Sequence, residues 1–155
     1  MAILVDSFLD KQASDFSLIA DDGTLFTLSS LKGKKIVLYF YPKDDTSGCT
    51  AQACDFRDHN SEFKAKNAVV IGISKDDTKR HQSFKNKYQL NFPLLTDADG
   101  KVCELYDVWK EKSMYGRKYF GIERSTFYID ESFTVRQVWR KVKVPGHFKE
   151  VLSAL

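Results

Sequence analysis

The sequence predicts an α/β domain built on a mixed central sheet. Three observations carry this prediction. IVLYFYP (36–42) and AVVIGIS (68–74) are continuous β-branched and aromatic runs, the pattern of strands buried on both faces of a parallel sheet. The stretch between them has helical periodicity, which makes a strand, helix, strand crossover. Near the end of the chain, STFYID and FTVRQVWRKV flank a turn at Asp130 to Ser132, so an antiparallel hairpin joins the parallel core.

Taken in order, MAILVDSFLDK has no basic leader and its apolar run stops at Asp6, so neither a signal peptide nor a transit peptide is expected. FSLIADDGTLFTLSSL alternates on either side of Asp22-Gly23 and predicts an N-terminal β-hairpin. After the first buried strand, CTAQACDFRDHNSEFKAKN (49–67) puts Ala53, Phe56 and Phe63 on one helical stripe in line with Cys49. After the second, DTKRHQSFKNKYQ reads as a helix with His81, Phe84 and Tyr88 on one side, and FPLLT (92–96) as a short strand, giving a second crossover. Val102, Leu105, Tyr106 and Trp109 repeat at i, i+3, i+4 and i+7 and predict a further amphipathic helix. GHFKEVLSAL closes the chain as a helix.

A chain of 155 residues with 43% hydrophobic residues suits one compact domain, expected to span 1–155, and no linker or repeat divides it. The net charge of +3 is mild and the charges are interspersed, which argues against nucleic acid as a partner. The lysine-rich stretch KVCELYDVWKEKSMYGRK is diluted by Glu and Asp and reads as a solvated face. No run approaches the roughly 18 apolar residues of a membrane span. Three cysteines, an odd number, read as free thiols, ligands or catalysts of a reducing compartment, so a cytoplasmic protein is expected.

Cys49 stands where α/β proteins collect their chemistry, beyond the C-terminal end of a strand. Pro42 ends the strand, KDDTSG forms a loop, and Cys49 enters the first turn of the helix. Unpaired N–H groups and the positive end of the helix dipole there favour an anion such as a thiolate. Position alone is equally compatible with a small buried hydrophobe. Cys54, five residues on, adds information: on an ideal helix the two side chains are roughly 140° apart and the Cα atoms about 8 to 9 Å apart. A disulfide needs Cα atoms within about 7 Å, so any bridge between them requires the first turn to unwind.

YPKDDTSGCTAQAC fits the Pro-x3-Thr-x2-Cys pattern of peroxiredoxins, and resembles in particular the peroxiredoxin Q or bacterioferritin comigratory protein subfamily. The resemblance extends through GISKD, NFPLLTD, KVCELYDVW, GIERSTFYID and the final helix, and includes Gln52 and Arg57-Asp58. It implies a thioredoxin-like fold and reduction of hydrogen peroxide and organic hydroperoxides without metal, haem or flavin. Residue by residue, it implies that Cys49 attacks the peroxide, Thr46 points its hydroxyl at thiolate and peroxide, and Pro42 shields the site from water. Arg124 is implied to stabilise the thiolate and the developing charge. Cys54 is implied to resolve the sulfenic acid as an intramolecular disulfide, which thioredoxin or a glutaredoxin-type dithiol would reduce. An internal resolving cysteine suits a monomer and is compatible with a dimer.

Other groups receive no such role. Lys43, Asp44 and Asp45 read as loop charges, and Cys103 as a helix-packing cysteine. His59 lies about 15 Å along the helix from Cys49, too far to serve it as a base. His81 and His147 read as structural or exposed. No zinc-type ligand spacing and no phosphate loop occurs. Two other functions remain open on these residues: a thioredoxin-like disulfide exchange enzyme, although Cys-x-x-Cys is missing, and a non-enzymatic redox-sensitive binding or holdase protein.

Overall fold

A computed structural model describes residues 6–155, so the reading of the extreme N-terminus lies outside the described residues. Alternation along one strand explains the layering. In β3 (Lys35–Phe40), Ile36, Leu38 and Phe40 enter one apolar cluster with Ile71, Ile73 and Phe127. Val37 and Tyr39 enter the other, with Tyr41 just beyond the strand. A strand apolar on both sides must be covered on both.

The sheet that results is mixed. β1 (Ser17–Ala20) and β2 (Leu25–Thr27) form the predicted hairpin, with Ser17 opposite Thr27. β4 (Ala68–Ser74) runs parallel to β3 with Leu38 beside Ile71, and β5 (Leu94–Thr96) runs parallel to β4. β8 (Ser125–Ile129) and β9 (Val135–Trp139) are the terminal hairpin, and β8 lies antiparallel to β3. The order across the sheet is β2-β1-β5-β4-β3-β8-β9, with β3 and β4 central. Against the Val37 and Tyr39 face pack α1 (Ser47–Asp58), α2 (Asn60–Ala65), α3 (Thr78–Tyr88) and α5 (His147–Ala154), through Ala53, Phe63, Phe84 and Val151. The opposite face is covered in part by α4 (Lys101–Leu105), through Val102 and Cys103.

Three expectations change. The helix predicted over 49–67 breaks at His59, whose backbone (φ −110°, ψ 10°) leaves the helical region. Asn60 there turns inward and its amide donates to both the carbonyl and the side-chain oxygen of Asn91. Phe56 and Phe63 nevertheless share one cluster with Cys49, as the stripe predicted.

The helix read from Val102 to Trp109 stops after Leu105, which is 44% exposed. Asp107 takes a left-handed conformation (φ 56°), and Val108 N–H bonds the Cys103 carbonyl while Asp107 N–H bonds that of Glu104. This is a Schellman stop with an aspartate in the place usually given to glycine. Buried Val108 then starts a new direction and Trp109 belongs to a strand.

The lysine-rich stretch is solvated over much of its length, as read, but its second half folds into an unexpected two-stranded sheet, β6 (Trp109–Met114) and β7 (Arg117–Ile122). Tyr115 (φ 52°) and Gly116 (φ 78°) make its turn, and two successive left-handed residues suit the twist of a tight hairpin. Its tip is exposed on both sides, so no alternation betrayed it.

Candidate active site

The loop that leads to Cys49 begins where β3 hands over to Tyr41 and Pro42. Thr46 is extended (φ −88°, ψ 158°) and occupies the N-cap of α1, Ser47 and Gly48 follow, and Cys49 is the third helical residue. The first intrahelical bond is Thr50 N–H to Thr46 O at 2.8 Å, so the N–H groups of residues 47–49 point out of the helix end. An anion at Cys49 therefore meets backbone donors and the positive end of the dipole.

Cys49 is only 2% exposed. Its Sγ accepts a hydrogen bond from Arg124 Nη2 at 3.3 Å. Arg124 immediately precedes β8, whose antiparallel pairing puts Ser125 beside Phe40 at the end of β3. The arginine is thus delivered to the mouth of the loop by sheet register. Its other amino group donates to Gln52 Oε1 at 2.6 Å, and Gln52 lies one helical turn after Cys49 on the same buried face. Gly48 makes the approach feasible: a Cβ there would stand 3.2 Å from Arg124 Nη2.

The neighbouring titratable groups respond to the charges of Arg124 and Cys49. His147 is 2% exposed, with Nε2 2.8 Å from Thr126 Oγ1, and burial followed by the charge of Arg124 takes its pKa down to about 4. It is a neutral imidazole at neutral pH. Burial, then Arg124, also pulls down the proton affinity of Lys112. Tyr39 is buried with no hydrogen-bond partner for its hydroxyl among the described residues, and burial, then the Cys49 charge, pushes its pKa well above the usual phenol value, so it keeps its proton.

Of the residues singled out from sequence, Cys49 and Arg124 are in contact, Thr46 caps the helix that carries Cys49, and Pro42 opens the loop before it, with two differences in detail. Thr46 is exposed and its hydroxyl donates to the Lys43 carbonyl at 3.0 Å rather than to Cys49. With its hydrogen spent in the loop, the oxygen presents lone pairs and can accept from the O–H of a hydroperoxide. Pro42 is itself exposed and forms one wall of an open cleft of about 330 Å³, with Lys75, Trp109, Lys112 and Phe120 on the other sides.

Cys54 is half-buried on the same unbroken α1, and Cys49, Cys54 and Cys103 are all free thiols. Cys103 is buried in the opposite cluster, where burial and then its hydrogen bond with Asp97 raise its thiol pKa strongly. His59 ends α1 and pairs with Glu62 at 2.7 Å, away from the thiol.

Residues given no role from sequence are tied into contacts behind the loop. Asp44 is a loop charge, but a buried one: it is 3% exposed and lies 2.6 Å from Nδ1 of fully buried His81. Asp45 pairs with Lys87 at 2.9 Å and Tyr88 at 2.7 Å. The one available signal was His81 sitting on the apolar stripe with Phe84, which required a buried partner of unstated identity. Donor atoms of Asp44, Asp76 and His81 come within 4.8 Å of one another, the only such group among the described residues. Hydrogen bonds occupy them: Asp76 Oδ2 takes the Asp44 N–H at 2.8 Å and the Ser74 hydroxyl at 2.6 Å.

With this geometry in hand, comparison with known proteins is specific. Residues 9–138 match the AhpC/TSA family model. Bacillus subtilis peroxiredoxin Bcp is 50% identical over 147 residues, covering 95% of this chain and 94% of that protein. The solved structure of Xanthomonas campestris bacterioferritin comigratory protein, concerned with alkyl peroxide reduction activity, is 45% identical with a TM-score of 0.86, covering 90% and 88% of the two chains. Xylella fastidiosa PrxQ is 42% identical with a TM-score of 0.85, covering 97% and 90%.

Proposed function

The chain belongs to the AhpC/TSA family and is a peroxiredoxin of the Bcp type, a thiol peroxidase of thioredoxin-like fold, and on that premise we propose that Cys49 is its peroxidatic cysteine and Cys54 its resolving cysteine. Membership implies a peroxide substrate and a thiol reductant. The observation that carries the reading is the Arg124 hydrogen bond to Cys49 Sγ at 3.3 Å, made at the open end of a helix.

The steps follow from this geometry. The Cys49 thiolate attacks one oxygen of the hydroperoxide, an S–O bond forms and the O–O bond breaks. The other oxygen leaves as water or an alcohol after taking up a proton, and Cys49 becomes a sulfenic acid. The fixed guanidinium of Arg124 faces the charge that builds on the oxygens, Thr46 Oγ1 accepts from the peroxide O–H, and Pro42 limits access of water.

Resolution needs motion. With both thiols on an intact helix, the first turns of α1 unwind before Cys54 attacks Cys49, forming the S–S bond and releasing water. A dithiol donor such as thioredoxin then restores both thiols by exchange. Resolution within one chain needs no partner subunit, which suits a monomer and also fits a dimer, and the expected role is that of a cytoplasmic antioxidant. Family membership as a peroxidase sets aside the binding-protein and disulfide-exchange readings.

The test couples peroxide consumption to thioredoxin for wild type, Cys49→Ser and Cys54→Ser, with mass mapping after one equivalent of peroxide. Loss of turnover in both variants and a 49–54 bridge are expected. Turnover in Cys49→Ser would sink the peroxidatic assignment; a bridge from Cys49 to Cys103 would sink the resolving one.

A further inference from the structure

The loop that carries Pro42 and Thr46 is held from behind by a buried network outside the reacting set. Asp44 is its middle residue. One carboxylate oxygen, Oδ1, lies 2.5 Å from Tyr41 Oη, and the other, Oδ2, lies 2.6 Å from His81 Nδ1. The His81 ring spans from there to β5, where Nε2 lies 3.0 Å from the Leu95 carbonyl. The Asp44 N–H donates to Asp76 Oδ2 at 2.8 Å. The side chains of His81 and Asp44 are 0% and 2% exposed.

Hydrogen counting assigns the protons. A carbonyl only accepts, so His81 Nε2 carries a hydrogen. Burial holds the proton on Tyr41, so its hydroxyl donates to Asp44. The contact between Nδ1 and Oδ2 then needs one proton of its own, and the pair as a unit is neutral. Both carboxylate oxygens and both ring nitrogens are thereby satisfied without water. Such a closed arrangement has one geometry, whereas an exposed loop charge would have many.

We infer that the Asp44–His81 pair is a positioning device for the peroxidase reaction, setting where Pro42 and Thr46 stand relative to Cys49 and Arg124. This rests on the proposed roles of Cys49 and Thr46. Asp44 lies two residues from each of the two groups it places, and its anchor points are on α3, β5 and the residues after β4, none of which includes the α1 helix that must unwind. Pro42 and Thr46 therefore have a support independent of Cys49. The pair touches no substrate, so its effect falls on reactions that use the loop and spares those that use only the thiolate.

That distinction supplies the test. Peroxide reduction needs Thr46 and Pro42 in place; alkylation of Cys49 by iodoacetamide needs the thiolate and Arg124 alone. Removing one partner strands a buried polar group, so the variant of choice removes both, Asp44→Ala with His81→Leu. Expected is a fall in the rate of Cys49 oxidation by hydrogen peroxide on the order of ten- to a hundredfold, against a change in alkylation rate within about threefold, as befits a reaction sensitive to placement. Tyr41→Phe deletes one hydroxyl and keeps the Asp44–His81 contact, and is expected to lower the peroxide rate by about threefold with alkylation unchanged. A peroxide-to-alkylation ratio equal to wild type in a folded double variant overturns the inference, and if that variant does not fold, an unchanged ratio in Tyr41→Phe overturns it. Cys49→Ser in parallel separates this outcome from failure of the peroxidatic assignment, because only that failure leaves peroxide consumption intact without the thiol.

Discussion

Arg124 Nη2 stands 3.3 Å from Cys49 Sγ while its Nη1 is clamped 2.6 Å from Gln52 Oε1. The guanidinium is thus held in one orientation by a neutral partner, and its charge is spent on the thiol. Arg124→Lys keeps a positive charge but loses the rigid fork that reaches both groups at once. Oxidation of Cys49 by hydrogen peroxide, followed by stopped-flow, should slow on the order of a hundredfold, the usual cost of one electrostatic donor, with an unchanged far-UV spectrum. A rate within twofold of wild type would remove Arg124 from the reaction.

Gly48→Ala tests the same contact from the other side. The added methyl would stand 3.2 Å from Arg124 Nη2, tight enough to displace the guanidinium by a few tenths of an ångström. Gly48 is helical and not among the positive-φ residues, so the change carries no backbone strain. A several-fold slower peroxide reaction with an unchanged far-UV spectrum is expected; a wild-type rate would contradict the contact.

His147 makes stability depend on pH. Its pKa is about 4 when folded against 6.5 as an unperturbed group, so between those values the unfolded chain binds more protons. The contribution is fully present above pH 6.5, falls as pH drops, and is exhausted below about 4. Its full size is on the order of 3 kcal/mol. Urea unfolding at pH 7 and pH 4.5 should show a smaller loss for His147→Gln than for wild type; equal losses would contradict this account.

Cys103 should be the last thiol to react. Burial and the nearby Asp97 hold its proton, and its N–H is tied to Asp97 Oδ2 at 2.8 Å. Limited iodoacetamide treatment of the reduced native protein, read by mass mapping, should label Cys49 and Cys54 well before Cys103. Cys103→Ala should leave peroxide turnover at the wild-type rate, with a cost in stability from the small cavity of about 1 kcal/mol.

Much of the scaffold was legible because its signals are local. Continuous apolar runs announced β3 and β4, Asp22-Gly23 announced the hairpin of β1 and β2, and 3.6-residue spacing announced α1 and α3. Reading failed where a local signal was ambiguous or missing. Val102 to Trp109 has perfect helical spacing, yet Asp107 in a left-handed conformation ends the helix. No pattern of apolar residues reports a Schellman stop made by aspartate. The β6–β7 hairpin escaped notice because exposed strands carry no burial pattern, and Lys, Glu and Arg dominate their faces.

By itself the sequence determined that a cysteine enters a helix just past a buried strand, with its second cysteine on the same helix and out of reach. Those statements depend on spacings of a few residues, and bonded geometry enforces them. Only the tertiary structure decided what surrounds the thiol. Arg124 meets Cys49 across a separation of 75 residues, and His81 meets Asp44 across 37. In each case sheet register and helix packing determine the contact, and neither residue's identity reveals the other. For the same reason Asp44 read as no more than a loop charge: its burial depends on an imidazole supplied by another helix, and only the assembled core brings the two together.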